Sequence, residues 1–217
     1  MARETSKILL VDDHPIVRRG LQEIISREPD LCVCGEAGSA DEAIKKIKET
    51  DPDLIVVDIS LNGVSGIDLI KQVKAAHDNI RMLVASMHDE CIYAERALHA
   101  GALGYINKEE ATDHLVGAIR QVLLGKVYLS EEMTARVLER TRSGTHEESP
   151  IESLTDREIE VFELFGQGLS AKQIAERLHR SVKTIETHRE SIKSKLGIET
   201  SNELTHRATL WVQESRS

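Results

Sequence analysis

Aliphatic runs in this chain end repeatedly on a polar residue. ILLV at 8–11 leads into Asp12 and Asp13, LIVV at 54–57 into Asp58, MLVA at 82–85 into Ser86, and Gly104-Tyr105-Ile106 toward Lys108. Short apolar runs of this kind, spaced by helix-like stretches, read as strands buried on both faces, which is the condition inside a helix-covered parallel sheet. In such a sheet the carboxyl ends of the strands line one crevice, where ligands bind. Three carboxylates, a hydroxyl and an ammonium would then face each other despite their separation in sequence. Carboxylates packed that closely repel unless a cation sits among them, and oxygen ligands favour a hard ion such as Mg2+. The set suits phosphoryl chemistry on a carboxylate, with Asp58 as nucleophile. Asp13 would bind Mg2+ directly, Asp12 through water, and the Ser60 backbone carbonyl would complete the protein ligands. Lys108 would balance charge and Ser86 would hydrogen-bond a phosphoryl oxygen.

Strand and helix patterns alternate up to about residue 125. Strands are expected at 7–11, 31–37, 54–58, 81–86 and 103–106. Helices are expected at 15–27, 40–49, 66–76, 90–100 and 112–124, with Pro15 in a first turn, Ser39 as a cap, and Gly101 and Gly125 as stops. Five such units predict a parallel sheet with helices on both faces. Ser130 can cap a helix to about residue 140, and the polar stretch 141–150 (TRSGTHEESP) reads as a linker. Beyond it the pattern is helical throughout. One helix runs over 156–165 behind the Thr155 cap and is broken by Gly166-Gln167-Gly168. Ser170 caps a second to residue 178, Ser181 a third to 196, and Ser201 a fourth to about 213. The short His179-Arg180-Ser181 connection makes the middle two a helix-turn-helix candidate. The expected division is 1–126, a linker with one helix over 127–152, and an all-α four-helix unit over 153–217.

Charge follows the same division. Of the net −9, residues 1–150 carry −8, while within 170–197 seven basic side chains face three acidic ones. A locally basic helix pair fits an anionic polymer, here double-stranded DNA. Lys172, Lys183, Arg189, Lys193 and Lys195 are candidate phosphate contacts, and Thr184, Glu186, Thr187 and Glu190 candidates for base edges, with His188 also on the polar side of that helix. Glu186 and Glu190 have a plainer reading as partners of basic neighbours along the helix. Ile185, Ile192 and Leu196 form its core-facing seam. In the last helix, Leu204, Ala208 and Trp211 make an apolar stripe, read either as core or as a dimer contact.

No apolar run approaches the roughly 18 residues of a membrane span, and no signal-peptide segment is seen, so a cytoplasmic protein is expected. Cys32, Cys34 and Cys91 are expected to be reduced and structural, with Cys32 and Cys34 on one face of a strand. His14, beside the acidic pair, is expected to cap or flank the first helix.

The segments 7–14 (KILLVDDH), 55–69 (IVVDISLNGVSGIDL), 83–88 (LVASMH) and 101–108 (GALGYINK) resemble the receiver domain of two-component response regulators. With 154–196, the whole chain resembles the NarL/FixJ group, which carries a LuxR-type helix-turn-helix. The resemblance implies a flavodoxin-like α/β fold with strand order 2-1-3-4-5, Asp58 as the aspartyl-phosphate site, Mg2+, and a sensor histidine kinase as phosphodonor. It implies that Ser86 and Tyr105 form a switch pair, and that phosphorylation frees the 181–196 helix and favours a homodimer on two DNA half-sites. The sequence departs from the group's pattern at Asn62 and Glu109, where proline is common, at Glu186 and Glu190, where lysine occurs, and at Met87, where a small residue is common. Met87 is expected to pack, the alternative being restricted phosphatase access.

Two other classes fit these residues less well. A haloacid-dehalogenase-type phosphatase uses a similar residue set, yet needs a second aspartate two residues after the nucleophile, where this chain has Ser60. A small-molecule quorum sensor would need an aromatic-lined pocket, and the first 125 residues offer Tyr93, Tyr105 and no Trp.

Overall fold

The computed structural model describes residues 5–61, 65–143 and 150–215. Asn62 and its loop, and residues 144–149 of the expected linker, lie outside the described residues. The chain divides into two compact units, Met1–Glu139 and Arg140–Ser217.

The first unit is a five-stranded sheet in the order β2-β1-β3-β4-β5. Its strands are β1 (Ser6–Val11), β2 (Leu31–Ala37), β3 (Leu54–Val57), β4 (Arg81–Ser86) and β5 (Gly104–Asn107), all pairing in parallel. Helices α1 (Pro15–Ser26), α2 (Ala40–Thr50), α3 (Gly66–Ala76), α4 (Glu90–Ala100) and α5 (Ala111–Leu123) alternate with the strands, and α6 (Glu131–Ser143) follows. The expected α/β class and strand order are therefore met.

Every residue of β3 is buried, because the sheet is covered on both sides. On one side Ile8, Leu10, Leu54, Val56 and Leu83 pack with Leu21 and Ile25 of α1 and Leu115, Ile119 and Val122 of α5. The alternate residues Leu9, Ile55, Val57 and Val84 are buried as well. Each such side chain stabilises the fold by about 1.5–3 kcal/mol, enough together to hold the strand ends in place against local repulsion.

Local chemistry sets the helix starts. Pro15 occupies the first turn of α1, and the Ser39 and Ser65 hydroxyls accept from the backbone N–H of Glu42 and Ile67. Asp89, not foreseen as a cap, accepts from Cys91 N at 2.9 Å and opens α4. Opposite the register shift between Ile8 and Leu9, Cys34 is the extra residue on β2, and its thiol donates to the Ile8 carbonyl at 3.4 Å. That bulge interrupts the alternation expected to align Cys32 with Cys34. All three cysteines are free thiols. Among the described residues every peptide bond is trans, including Lys108–Glu109.

The second unit contains α7 (Asp156–Gly166), α8 (Ala171–Arg177), α9 (Val182–Leu196) and α10 (Ser201–Ser215). Capping boxes open α7 (Thr155 with Glu158) and α8 (Ser170 with Gln173), and Ser181 caps α9. Two boundaries differ from the sequence reading. Gly166 does not break α7 but ends it, and a Cβ there would lie 2.6 Å from the Ala208 carbonyl of α10. It is a close-packing glycine, and the turn falls to Gly168, at φ 83°. Thr200, not Ser201, caps α10, since its hydroxyl accepts from Glu203 N at 3.2 Å. Leu204 and Ala208 of the α10 stripe are fully buried and so belong to the core, while Trp211 is half-buried and Leu210 on the same helix is 45% exposed. Trp211 packs on Phe162 with ring centroids 5.5 Å apart.

Candidate functional site

The register of the sheet assembles the site. Val11 pairs with Val57, and Asp58 N donates to the Val11 carbonyl at 2.9 Å, so Asp12 and Asp58 leave adjacent strands at the same level. Ser86 pairs with Asn107, and Lys108 N donates to the Ser86 carbonyl at 2.9 Å, which brings Lys108 to that edge. Its ammonium lies 2.6 Å from Asp12 Oδ2 and 2.7 Å from Asp58 Oδ2. Arg18 of α1 donates to the Asp12 carbonyl at 2.6 Å and pairs with Glu36 at 3.0 Å, tying α1 to the end of β1. Gly66 is required where the loop returns, because a Cβ there would sit 1.9 Å from the Asp58 carbonyl oxygen.

Asp12 and Asp58 are buried, and one donor atom each from Asp12, Asp13, His14 and Asp58 lie within 4.8 Å of one another. His14 stands at the N-cap of α1 but makes no side-chain cap; its Nδ1 lies 2.6 Å from Asp13 Oδ1. Burial pushes the Asp58 carboxyl above the usual range, against the pull of Lys108 and with the help of the Asp12 charge. Asp58 Oδ1 is buried and accepts no hydrogen bond. Three carboxylates converging within 4.8 Å are an oxygen donor set that fits a hard divalent cation, with the Lys108 ammonium beside them balancing part of their charge.

Ser86 and Tyr105 are both fully buried. Tyr105 Oη donates to the His88 carbonyl at 2.8 Å, and His88 N donates to Ser86 Oγ at 3.3 Å. The His88 ring meets Ser60 Oγ at 2.7 Å through Nε2 and leans on Tyr93, with ring centroids 4.7 Å apart. His88 thus links the loops after β3 and β4 with β5 at the crevice mouth, a role the sequence alone did not reveal. Its signal was positional: His88 follows Ser86, and Ser60 follows Asp58, by two residues each. Met87 does not pack as expected; it is 61% exposed, because the chain turns outward between Ser86 and the Asp89 cap.

In the second unit Ile185, Ile192 and Leu196 of α9 are buried, which turns the helix's polar side outward. Lys172, Lys183, Thr187 and Glu190 are exposed, and Thr184, Glu186, His188, Arg189 and Lys193 are half-buried. The two glutamates do pair along the helix: Glu186 with Arg189, and Glu190 with Lys193 at 3.0 Å. Thr184 Oγ1 contacts the Ser181 cap at 2.8 Å. Burial, then the Arg157 charge, holds the His188 imidazole below its usual value. Lys195, at the surface, reaches back to lie 2.6 Å from the buried Glu158 Oε2 and 3.2 Å from the Ser153 carbonyl. Its charge is thereby matched by a partner of its own domain. Glu158 also accepts from Ser191 at 2.6 Å and from Thr155 N at 2.7 Å. Burial opposes the Glu158 charge, yet these hydrogen bonds outweigh it and hold the carboxyl down to about 2.

Comparison with known proteins agrees with this architecture. Residues 8–120 match the response regulator receiver domain, and residues 152–208 match the bacterial regulatory proteins of the luxR family. The nitrate/nitrite response regulator protein homolog of Haemophilus influenzae is 35% identical, over 88% of this chain and 90% of its own. The nitrate/nitrite response regulator protein NarL of Escherichia coli is 33% identical, over 99% and 98%. A solved structure of RcsB from Salmonella enterica serovar Typhimurium, bound to a promoter in the presence of phosphomimetic BeF3−, has a TM-score of 0.62 at 26% identity, covering 94% of this chain and 98% of that one. No helix among the described residues is long and apolar enough to cross a membrane. With its strand-end acidic crevice, its helix-turn-helix and these matches, the chain belongs to the NarL/FixJ group of response regulators, in which a receiver domain is joined to a LuxR-type DNA-binding domain.

Proposed function

We propose that this protein regulates transcription by binding DNA in response to phosphorylation of Asp58 by a sensor histidine kinase, in the cytoplasm. The receiver is assigned to 1–126, a linker with one helix to 127–152, and the DNA-binding domain to 153–217. The observation that carries the reading is the asymmetry of the Asp58 carboxylate. Oδ2 is held by Lys108 at 2.7 Å, while Oδ1 is buried without a hydrogen-bond partner. Oδ1 is therefore the oxygen left to attack. The phosphoryl group passes from the donor's histidine nitrogen to Oδ1, the N–P bond breaking as the O–P bond forms. Asp12, Asp13, Asp58 and the Ser60 carbonyl would hold Mg2+, which when bound neutralises charge on the phosphoryl oxygens.

The new group carries about two negative charges beside Lys108 and Ser86. Ser86 donates to it, and Tyr105, already buried against the His88 carbonyl, is held inward. That bias on a two-state surface favours dimers and DNA binding at two half-sites. The chemistry is confined to Asp58 gaining and losing its phosphoryl group. On DNA, Lys172, Lys183, Arg189 and Lys193 are assigned to phosphates, and Thr184, Glu186, Thr187, His188 and Glu190 to the groove side. Lys195 is assigned to Glu158. The RcsB structure with a promoter and a phosphomimetic supports the coupling by analogy.

The test is to treat wild type and Asp58→Ala with acetyl phosphate and Mg2+, then measure phosphoprotein, oligomeric state and duplex DNA binding. Wild type should be phosphorylated, dimerise and bind DNA more tightly, and the variant should do none of these. Equal responses of the two proteins would overturn the proposal.

A further inference from the structure

The β5 edge of the receiver sheet is covered by a segment that follows α5. Gly104 and Tyr128 form an isolated parallel bridge; Tyr105 N donates to the Tyr128 carbonyl and Tyr128 N to the Leu103 carbonyl, both at 2.9 Å. The approach depends on glycine. A Cβ on Gly104 would lie 2.9 Å from the Tyr128 carbonyl oxygen and 3.0 Å from its Cβ. The Tyr128 side chain packs on the core cluster, and Gln121 Nε2 donates to the Val127 carbonyl. Directly after the bridge, Ser130 N donates to Glu90 Oε1 at 3.0 Å, Ser130 Oγ accepts from Met133 N at 3.0 Å, and Met133 is fully buried. The start of α6 is therefore fastened to β5 and to the first residue of α4.

We infer that Tyr128 is a positioning residue for Tyr105, and that the 127–133 strap passes the state of the phosphoacceptor site to helix α6. The inference rests on the receiver reading above. A pleated edge strand presents unpaired N–H and C=O groups, and an ordinary cover would serve only to protect them. This cover differs because one of its two hydrogen bonds comes from the backbone N–H of Tyr105, the residue whose hydroxyl reaches the crevice mouth at His88, while the other falls on Leu103. A change in the crevice that pulls on the Tyr105 backbone would load its hydrogen bond to Tyr128, and Tyr128 stands three residues before α6. The chain leaves the first unit through that helix.

Hydrogen exchange on the full chain, with beryllofluoride and Mg2+ as the phosphoryl mimic, tests this. In wild type, beryllofluoride should change protection of the Tyr105 and Tyr128 amides and of residues 130–139 by about tenfold, the scale of one or two backbone hydrogen bonds. Gly104→Ala crowds the bridge, and Tyr128→Pro removes its donor, without altering the acidic residues. In both variants residues 130–139 should exchange about tenfold faster and no longer respond, while Asp58 still takes phosphate from acetyl phosphate. If wild type takes phosphate and residues 130–139 do not respond, or if both variants respond normally, the inference is overturned and the receiver reading stands. If wild-type Asp58 takes no phosphate, both fall together.

Discussion

The Ser60 hydroxyl and the His88 imidazole meet at 2.7 Å across the mouth of the acidic crevice. The contact joins the loop after β3 to the loop after β4 and would restrict the approach of water to Asp58. His88→Ala removes it and opens that path. Phosphate on Asp58 should then hydrolyse several-fold faster, since excluding water protects reactive intermediates. The decay of phosphoprotein after removal of the donor measures this, and an unchanged half-life would deny the imidazole any shielding role.

Asp58 carries a stability cost of its own. Burial raises its folded pKa above the unfolded value, so it favours the folded state only at low pH, and that contribution is lost as pH rises through the folded pKa. Asp58→Asn should therefore be more stable than wild type at pH 7 without Mg2+, by about 1–2 kcal/mol or a few degrees in melting temperature. The gap should shrink as pH falls through the raised pKa of Asp58 and when Mg2+ is added. Calorimetry showing a less stable variant at pH 7 would contradict the assignment.

Glu158 behaves in the opposite sense. Its folded carboxyl, at about 2, lies below the ordinary 4.5, so its contribution is present above 4.5 and lost as pH falls toward 2. The difference corresponds to about 3 kcal/mol at most. Trp211 is the single tryptophan of the chain and lies in the second unit, so its fluorescence follows that unit's unfolding. Stability read this way should fall between pH 5 and 3 in wild type and be flatter in Glu158→Gln. Parallel pH profiles would show that Glu158 is not the group involved.

Lys183 and Lys195 should separate cleanly, although both lie on α9. Lys183→Ala should lower the salt slope of binding to nonspecific duplex DNA by about one unit. Lys195→Ala should leave that slope unchanged and instead destabilise the second unit by about 1–3 kcal/mol, because Glu158 stays buried with a partner missing. Anisotropy titrations at several salt concentrations, beside unfolding curves, check both; a slope change in Lys195→Ala would place its charge on DNA after all.

The strands and the residues at their ends were legible because fully buried β-branched runs admit few alternatives, and polar residues closing such runs are rare. The caps at Ser39, Ser170 and Ser181 were legible for a similarly local reason. What escaped depends on which strand lies beside which. Ser60 and His88 meet because β3 pairs with β4 in one register, and their equal two-residue offset from Asp58 and Ser86 acquires meaning only once that pairing is known. Tyr128 reads as linker until β5 is known to be an edge. Gly166 looks like a helix breaker in one dimension and is a contact surface in three. Lys195 has the composition of a DNA contact, but the capping box of α7 places a buried carboxylate within its reach.

The Gly66 contact has a mechanical corollary. With the Asp58 carbonyl occupying the place of a missing side chain, and Gly66 N bonded to the Ile59 carbonyl at 2.8 Å, the Asp58 peptide abuts the first turn of α3 with no slack between them. A backbone adjustment at Asp58 would therefore press directly on the first turn of α3.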